Sequence, residues 1–132
     1  MKIYTSYFAN LKNLEKEDIL PIGICCYPPK WFNGPNLGAI APTPDILEKC
    51  KSSHAEYEKR YKAEVLSIFK DVSTLINKIS YISGGKEVAL CCYEKPSDFC
   101  HRHIVAKWLE EQAGIEVKEF EKTEEIKMEP LF

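Results

Sequence analysis

Residues 88–103 read VALCCYEKPSDFCHRH, and this stretch decides the fold class. Residues 88–93 form a short apolar run, which is typical of a strand covered on both faces in a parallel sheet. A tight polar loop follows, and a helix begins near His101 and ends at Gly114, a common helix-ending residue. The stretch therefore predicts a buried strand, a loop and a helix start in direct succession.

The rest of the chain shows the same alternation of apolar runs and helical patterns. The predicted elements are a strand at 2–5, a helix at 10–18, a strand at 20–26, helices starting near Thr43 and Asp71, and a strand at 115–120. The apolar stripes of the helices are Tyr57, Tyr61, Val65 and Ile68 in one, and Ile104, Val105, Trp108 and Leu109 in another. Such alternation argues for an α/β fold.

We predict a Rossmann-like three-layer sandwich with a mainly parallel sheet. Residues 1–122 would form this single domain, and residues 123–132 a charged C-terminal tail. The segment 27–44 is rich in proline and lies between the second strand and the next helix. We expect it to be a long ordered loop, and such loops often carry function.

Composition and charge exclude several classes of protein. The chain has 132 residues, of which 45% are hydrophobic and 29% charged, as in an ordinary globular domain. The formal net charge of −2 argues against nucleic acid as a partner. No apolar run approaches the ~20 residues that cross a bilayer, and the first residues do not resemble a signal peptide. We therefore expect a cytoplasmic protein that does not bind a membrane. The sequence does not indicate its oligomeric state.

The cysteines are expected to be reduced, because thiols stay reduced in the cytosol. They are Cys25, Cys26, Cys50, Cys91, Cys92 and Cys100. Two adjacent pairs lie inside apolar strand-like runs, where disulfide geometry is poor. We interpret most of these side chains as small buried hydrophobic groups.

The sequence predicts no metal site and leaves the cofactor unknown. Cys100 and His101 are adjacent, and adjacent ligands rarely both reach one tetrahedral ion. No local spacing predicts that Cys26 and Cys92 converge on Cys100, although a metal or redox site that includes Cys25, Cys26 or Cys92 stays open. A phosphate-binding P-loop, a dinucleotide glycine fingerprint and a catalytic serine elbow are all missing from the sequence.

A candidate site follows from the predicted sheet. In parallel sheets, ligands bind beyond the carboxyl ends of the strands. The residues that follow three predicted strand ends would therefore share one crevice with the start of the last helix. The predicted ligand-binding residues are Tyr7, Asn10, Tyr27, Lys30, Trp31, His101 and Arg102.

Cys100 and Glu94 are the candidate catalytic residues. Cys100 lies at a helix start, where free N–H groups and the helix dipole favour an anion and lower the pKa of a thiol. It could be a nucleophile, a metal ligand, a thiol beside an anion site or a packed core residue. Glu94 follows the strand directly, so it could be a general base, a hydroxyl acceptor, an ion-pair partner or a solvated charge.

The three residues after Cys100 can be separated by their angle on the helix. His101 projects close to the centre of the apolar stripe, whereas His103 projects nearly opposite. We therefore interpret His101 as a hydrogen-bonded histidine turned toward the sheet, and His103 as a solvated histidine or at most a contact at the rim of the site. Arg102 lies at the edge of the stripe, where it could bind an anion or pair with Glu94 or Asp98.

The run 90–95, LCCYEK, followed by Cys100, His101 and Arg102, resembles the signature of the domain-of-unknown-function 488 (DUF488) family. Residues 3–5 with Asn10, and the turn at 27–29, are also similar to it. The resemblance covers nearly the whole chain and implies a Rossmann-like α/β fold with a site at this motif. Members often carry an arginine near the end of the second strand, where this chain has two cysteines. If that arginine binds an anion in relatives, the resemblance implies that Lys30 replaces it or that the activity is altered.

Three functions remain open at this level. The first is a small α/β protein, catalytic or not, that acts on a phosphorylated or nucleotide-like ligand placed at the strand ends, with its anionic group near Arg102. The second is a non-catalytic binding module or inhibitor that uses the same crevice. The third is thiol or redox chemistry through Cys100. The sequence does not decide whether the protein is an enzyme.

Overall fold

A computed structural model describes residues 2–94 and 98–120 of the chain. Their strands form one sheet in the order β2-β3-β1-β4, and every neighbouring pair is parallel. The strands are β1 (Ile3–Tyr7), β2 (Leu20–Gly23), β3 (Val88–Cys92) and β4 (Val117–Glu119). The predicted α/β class and the parallel sheet are confirmed. The Rossmann-like detail and the single-domain boundary stay predictions, and the predicted tail lies outside the described residues.

The sheet is buried on both faces, and β3 at its centre shows why. Val88 and Leu90 belong to one hydrophobic core cluster, and Ala89 and Cys91 belong to the other. Alternate side chains of a strand point to opposite faces, so an unbroken apolar run requires a covered surface on each side. All residues of β3 are buried. This is the physical reason why residues 88–93 read as an apolar run without alternation.

Helices in the described part of the chain cover the sheet. They are α1 (Leu11–Lys16), α2 (Pro44–Lys49), α3 (His54–Glu64), α4 (Val72–Ser83) and α5 (His101–Ala113). The predicted helix starts are confirmed: Thr43 accepts a hydrogen bond from the backbone N–H of Ile46, and Asp71 accepts one from the backbone N–H of Ser73. The helix α5 ends at Gly114, which has a left-handed φ of 68°. No helix among the described residues is long and apolar enough to span a membrane.

One detail of the predicted helix stripes is wrong, and another is confirmed only in part. Ile68 is 69% exposed, because α3 ends at Glu64 and a short 3-10 turn redirects the chain before the apolar spacing is complete. Trp108 is only half-buried, although it packs against the core beside the fully buried Leu109.

Backbone hydrogen bonds and one side chain fasten the loop between β2 and α2 to the end of β2. The Gly23 N–H donates to the Pro35 carbonyl (2.8 Å), and the Leu37 N–H donates to the Gly23 carbonyl (2.7 Å). Asn36 donates a hydrogen bond from Nδ2 to the carbonyl of Cys25 (3.1 Å) and accepts one at Oδ1 from the Cys25 N–H (3.3 Å). A β-bridge joins Asn36 to Gly23, where an added Cβ would lie 2.5 Å from Asn36 Oδ1. The close approach therefore requires glycine at position 23. This double contact fixes the backbone of Cys25 next to the site described below.

Candidate functional site

A cavity of about 400 Å³ lies beyond the carboxyl ends of β2 and β3, beside the first turn of α5. Its lining includes the sulfur-bearing side chains of Cys92 and Cys100 and the ring of His101, all of them buried. The aromatic rings of Tyr57 and Phe99 line it further, and they meet edge to face. A cavity of this size fits a small molecule and lies where ligands bind in parallel sheets.

The described lining of the cavity carries little charge. Glu94 is its acidic residue, and neither lysine nor arginine occurs among the described residues that line it. Burial, and secondly the nearby Glu94, raises the pKa of Tyr57 well above its ordinary value. The Tyr57 phenol therefore stays protonated and can donate a hydrogen bond to a ligand.

Cys92 and Cys100 are joined by a disulfide. This corrects the expectation of reduced, merely packed cysteines. Cys92 is the last residue of β3 and Cys100 is the N-cap of α5, so the strand end and the helix start lie side by side at this point of the sheet. The expectation was based on a reducing cytosolic environment and on the poor disulfide geometry of adjacent cysteines, whereas a site that joins Cys92 to Cys100 was left open. Cys25, Cys26, Cys50 and Cys91 are free thiols.

His101 is held in one tautomer by the backbone of the neighbouring strand. Its Nε2–H donates to the carbonyl oxygen of Ile24 at 2.5 Å, because a carbonyl can only accept. The other ring nitrogen, Nδ1, therefore carries a lone pair, and it lies 3.8 Å from the Cys100 sulfur. Burial lowers the pKa of His101 to about 4, so the ring is neutral at physiological pH. The interpretation of His101 as a hydrogen-bonded histidine turned toward the sheet is confirmed.

Arg102 is fully buried and lies behind the cavity lining. Its guanidinium donates two hydrogen bonds to the carboxylate of Glu119, at 3.1 and 3.2 Å. The remaining nitrogen donates to the Cys92 sulfur at 3.0 Å and to the backbone carbonyl of Glu94 at 2.7 Å. The expected partners, the carboxylates of Glu94 and Asp98, are wrong. Because α5 packs across β1 and β4, Arg102 reaches Glu119 on the edge strand.

The structure gathers only part of the predicted site at this cavity. Glu94, Cys100, His101 and Tyr27 line it. Tyr27 lies at the rim, where its carbonyl accepts a hydrogen bond from the Tyr93 hydroxyl. The predicted residues that do not line it are Tyr7, Asn10, Lys30, Trp31 and Arg102.

Each of those five has another environment. The Tyr7 ring lies 5.7 Å from the Arg102 guanidinium. Asn10 is buried and donates to the Ser6 hydroxyl at 3.0 Å. Lys30 and Trp31 are exposed, and Trp31 packs edge-on against Phe8.

Two residues of the site were missed by the sequence interpretation, and Cys92 was left open as a partner of Cys100. Cys92 is the last residue of β3. Tyr57 was interpreted as part of a core stripe, and it belongs to the core and to the cavity lining at once. Glu119 offered no local signal, since its partner Arg102 is 17 residues away in sequence.

Comparison with known proteins supplies a family. The model of DUF488-N3a, described as the active DUF488-N3 subclade, matches residues 6–113. The chain belongs to this DUF488 subclade. No curated protein and no solved structure matches it.

The match to DUF488-N3a covers every residue named above as lining the cavity, from Tyr27 to His101. It also covers the whole of α5, including Arg102. The partner carboxylate of Glu119 lies beyond the matched range. The expected resemblance to the DUF488 family is thereby confirmed. The segments that suggested it, residues 90–94 of LCCYEK and Cys100 to Arg102, lie at the end of β3 and the start of α5, which border the cavity.

Proposed function

We propose that this DUF488-N3a protein performs thiol–disulfide exchange with a small molecule that enters the cavity, using Cys92 and Cys100. The observation that carries the proposal is the position of this disulfide in the buried lining of a cavity of about 400 Å³. The description of the subclade as active agrees with a reacting pair.

The groups around Cys92 and Cys100 would stabilise the thiolates that form when the disulfide is reduced. Arg102 donates a hydrogen bond to the Cys92 sulfur at 3.0 Å, and a charged donor stabilises a thiolate more than a thiol. Cys100 is the N-cap of a 13-residue helix, where the dipole favours negative charge. Each cysteine therefore has its own source of stabilisation for the charge that reduction creates.

The exchange would proceed in two balanced steps. In the reduced protein, the Cys100 thiolate attacks one sulfur of a small disulfide, forms a mixed disulfide and releases the other sulfur as a thiolate. The Cys92 thiolate then attacks the Cys100 sulfur, which closes the Cys92–Cys100 bond and releases the second half of the substrate as a thiolate. Two electrons pass from the protein dithiol to the substrate disulfide, and a small dithiol reductant restores the protein.

A phosphorylated or nucleotide-like ligand has less support than a sulfur-containing one. The described lining offers no cationic side chain, and Arg102, the expected phosphate partner, donates its hydrogen bonds to Glu119, Cys92 and the Glu94 carbonyl. Glu94 would add negative charge beside a phosphate. The binding of an anionic ligand stays a prediction.

Trapping the mixed disulfide tests the proposal. The Cys92→Ser variant is reduced, mixed with oxidised glutathione and analysed by peptide mass spectrometry. We expect the glutathione adduct to accumulate at Cys100 in this variant, whereas the wild type passes on to the Cys92–Cys100 disulfide. The Cys50→Ser variant is the control, since Cys50 does not line this cavity, and it should behave as the wild type does. Adduct formation mainly at Cys25 or Cys26, or equal labelling of every cysteine, would contradict the proposal.

A further inference from the structure

We infer that the reduced protein binds one Zn²⁺ ion through Cys92, Cys100 and His101, with a fourth coordination position open to the cavity. One ligand atom of each residue lies within 4.8 Å of the other two. This inference concerns the same cysteines as the proposed exchange, but it does not require that exchange occurs. It also revises the expectation from sequence that adjacent Cys100 and His101 would not share an ion.

Cys100 and His101 can reach the same ion, although they are adjacent in sequence, because the backbone bends at the start of α5. Cys100 has an extended backbone (φ −156°, ψ 144°), and the helix begins at the next residue. The side chains of Cys100 and His101 therefore turn to the same side, with Sγ and Nδ1 at 3.8 Å. A tetrahedral zinc ion holds a thiolate sulfur and an imidazole nitrogen about 3.5 Å apart, so this spacing needs only a small adjustment.

His101 already has the arrangement of a zinc ligand. Its Nε2–H is engaged by the Ile24 carbonyl, which leaves the lone pair of Nδ1 directed at the sulfurs. Metal-bound histidines almost always donate their second nitrogen to a carbonyl or carboxylate in this way. The ring is thus fixed in orientation and tautomer by the fold, with no metal needed to order it.

The donor set selects the kind of ion. Two thiolates and an imidazole suit Zn²⁺ and other soft or borderline ions, whereas Mg²⁺ and Ca²⁺ require oxygen ligands. The two thiolates balance the charge of a divalent ion, and the hydrogen bond from Arg102 to the Cys92 sulfur is compatible with a bound thiolate.

The fourth position would be open rather than filled by Cys25. The Cys25 thiol also lines the cavity, but its Sγ–H points to the Cys91 carbonyl at 3.9 Å. A water or substrate atom in the cavity would complete the tetrahedron, as in zinc sites of the reactive kind. The Glu94 side chain also lines the cavity and could accept a proton from such a water.

The oxidised wild-type protein is the control for metal binding, because the Cys92–Cys100 disulfide leaves no thiolate at either position. We would titrate metal-free protein with Co²⁺ under anaerobic conditions, once reduced and once with the Cys92–Cys100 bond intact, and then displace Co²⁺ with Zn²⁺. The reduced form should take up one equivalent and show thiolate-to-cobalt charge-transfer bands with intense tetrahedral d–d bands. The oxidised form should show neither. Equal binding by both forms, or no binding by the reduced form, would overturn the inference.

Variants identify the ligands. Cys92→Ser, Cys100→Ser and His101→Gln should each weaken Co²⁺ binding by more than about 100-fold, beyond the usual effect of changes outside the ligand shell. Cys50→Ser should bind as the wild type does. Unchanged binding in His101→Gln would remove the histidine from the site and contradict the inference. Exchange with oxidised glutathione is measured without metal. The proposed exchange can therefore fail while metal binding is observed, and the reverse can also occur.

Discussion

Arg102 and Glu119 form a bidentate ion pair between α5 and the edge strand β4, with Nε–Oε1 at 3.1 Å and the second contact at 3.2 Å. The arginine side chain is fully buried and the glutamate is 14% exposed. Thr5 on β1 donates a further hydrogen bond to the same carboxylate at 2.7 Å. The pair therefore ties the helix that carries Cys100 and His101 to two strands of the sheet.

Glu119→Gln should destabilise the fold by about 3–5 kcal/mol, because it leaves the buried Arg102 charge without its partner. The measurement is urea unfolding at neutral pH. Glu116→Gln is a matched control, since Glu116 pairs with Lys118 at the exposed surface, and it should cost less than about 1 kcal/mol. Adding Arg102→Met to Glu119→Gln should cost less than the sum of the two single changes. Strict additivity would show that the two residues do not interact.

Acid should destabilise the metal-free, oxidised protein through His101. Its pKa is about 4 in the folded protein and 6.5 in its ordinary state. The unfolded chain therefore takes up a proton between these values while the folded protein does not. The contribution of His101 to the free energy of unfolding is fully present above pH 6.5. It is lost as the pH falls toward 4, and the free energy of unfolding drops by up to about 3 kcal/mol.

Urea unfolding at a series of pH values measures this loss. In His101→Gln the slope between pH 6.5 and 4 should flatten, because glutamine does not titrate and its amide can still donate to the Ile24 carbonyl. His54→Gln is the control, since His54 is exposed, and its slope should match that of the wild type. The same slope in His101→Gln as in the wild type would assign the acid sensitivity to other groups.

The reduced protein should have two classes of buried thiol. Burial raises the pKa of Cys25 and of Cys91 to about 12, so both should alkylate slowly at pH 7.5. Cys100, at a helix start and on the cavity, should react with iodoacetamide before either of them. Timed alkylation with peptide mass spectrometry gives the order, and the unreduced protein should show no labelling of Cys100. Faster labelling of Cys25 than of Cys100 would contradict the assignment of Cys100 as the attacking thiol.

Asn36→Ala should loosen the loop that borders the cavity. The change removes both side-chain hydrogen bonds to the Cys25 backbone, which we expect to cost about 1–3 kcal/mol. Hydrogen exchange at the Cys25 amide should quicken, and urea unfolding gives the free energy. Asn33→Ala in the same loop is the control, because Asn33 and Asn36 are both exposed but the Cys25 backbone bonds to Asn36, and it should leave both measurements unchanged. Equal effects of the two variants would show that the double contact does not hold the loop.

The sequence by itself determined the local features of this protein. The apolar run at 88–92, the caps at Thr43 and Asp71, and the end of α5 at Gly114 all depend on interactions within a turn or two of chain. The inward direction of His101 also followed, because it depends only on its angle relative to the apolar stripe of its own helix. These features could be predicted since their partners are neighbours in the sequence.

Only the tertiary structure decided how the site is assembled. Ile24, which fixes the His101 tautomer, is 77 residues away from it, and the Arg102–Glu119 pair requires that β4 adds beside β1 rather than beside β2. The meeting of Cys92 and Cys100 requires that the start of α5 lies against the end of β3. Such contacts depend on strand order and on the packing of α5 over the sheet, and no periodicity or spacing within a single element carries that information.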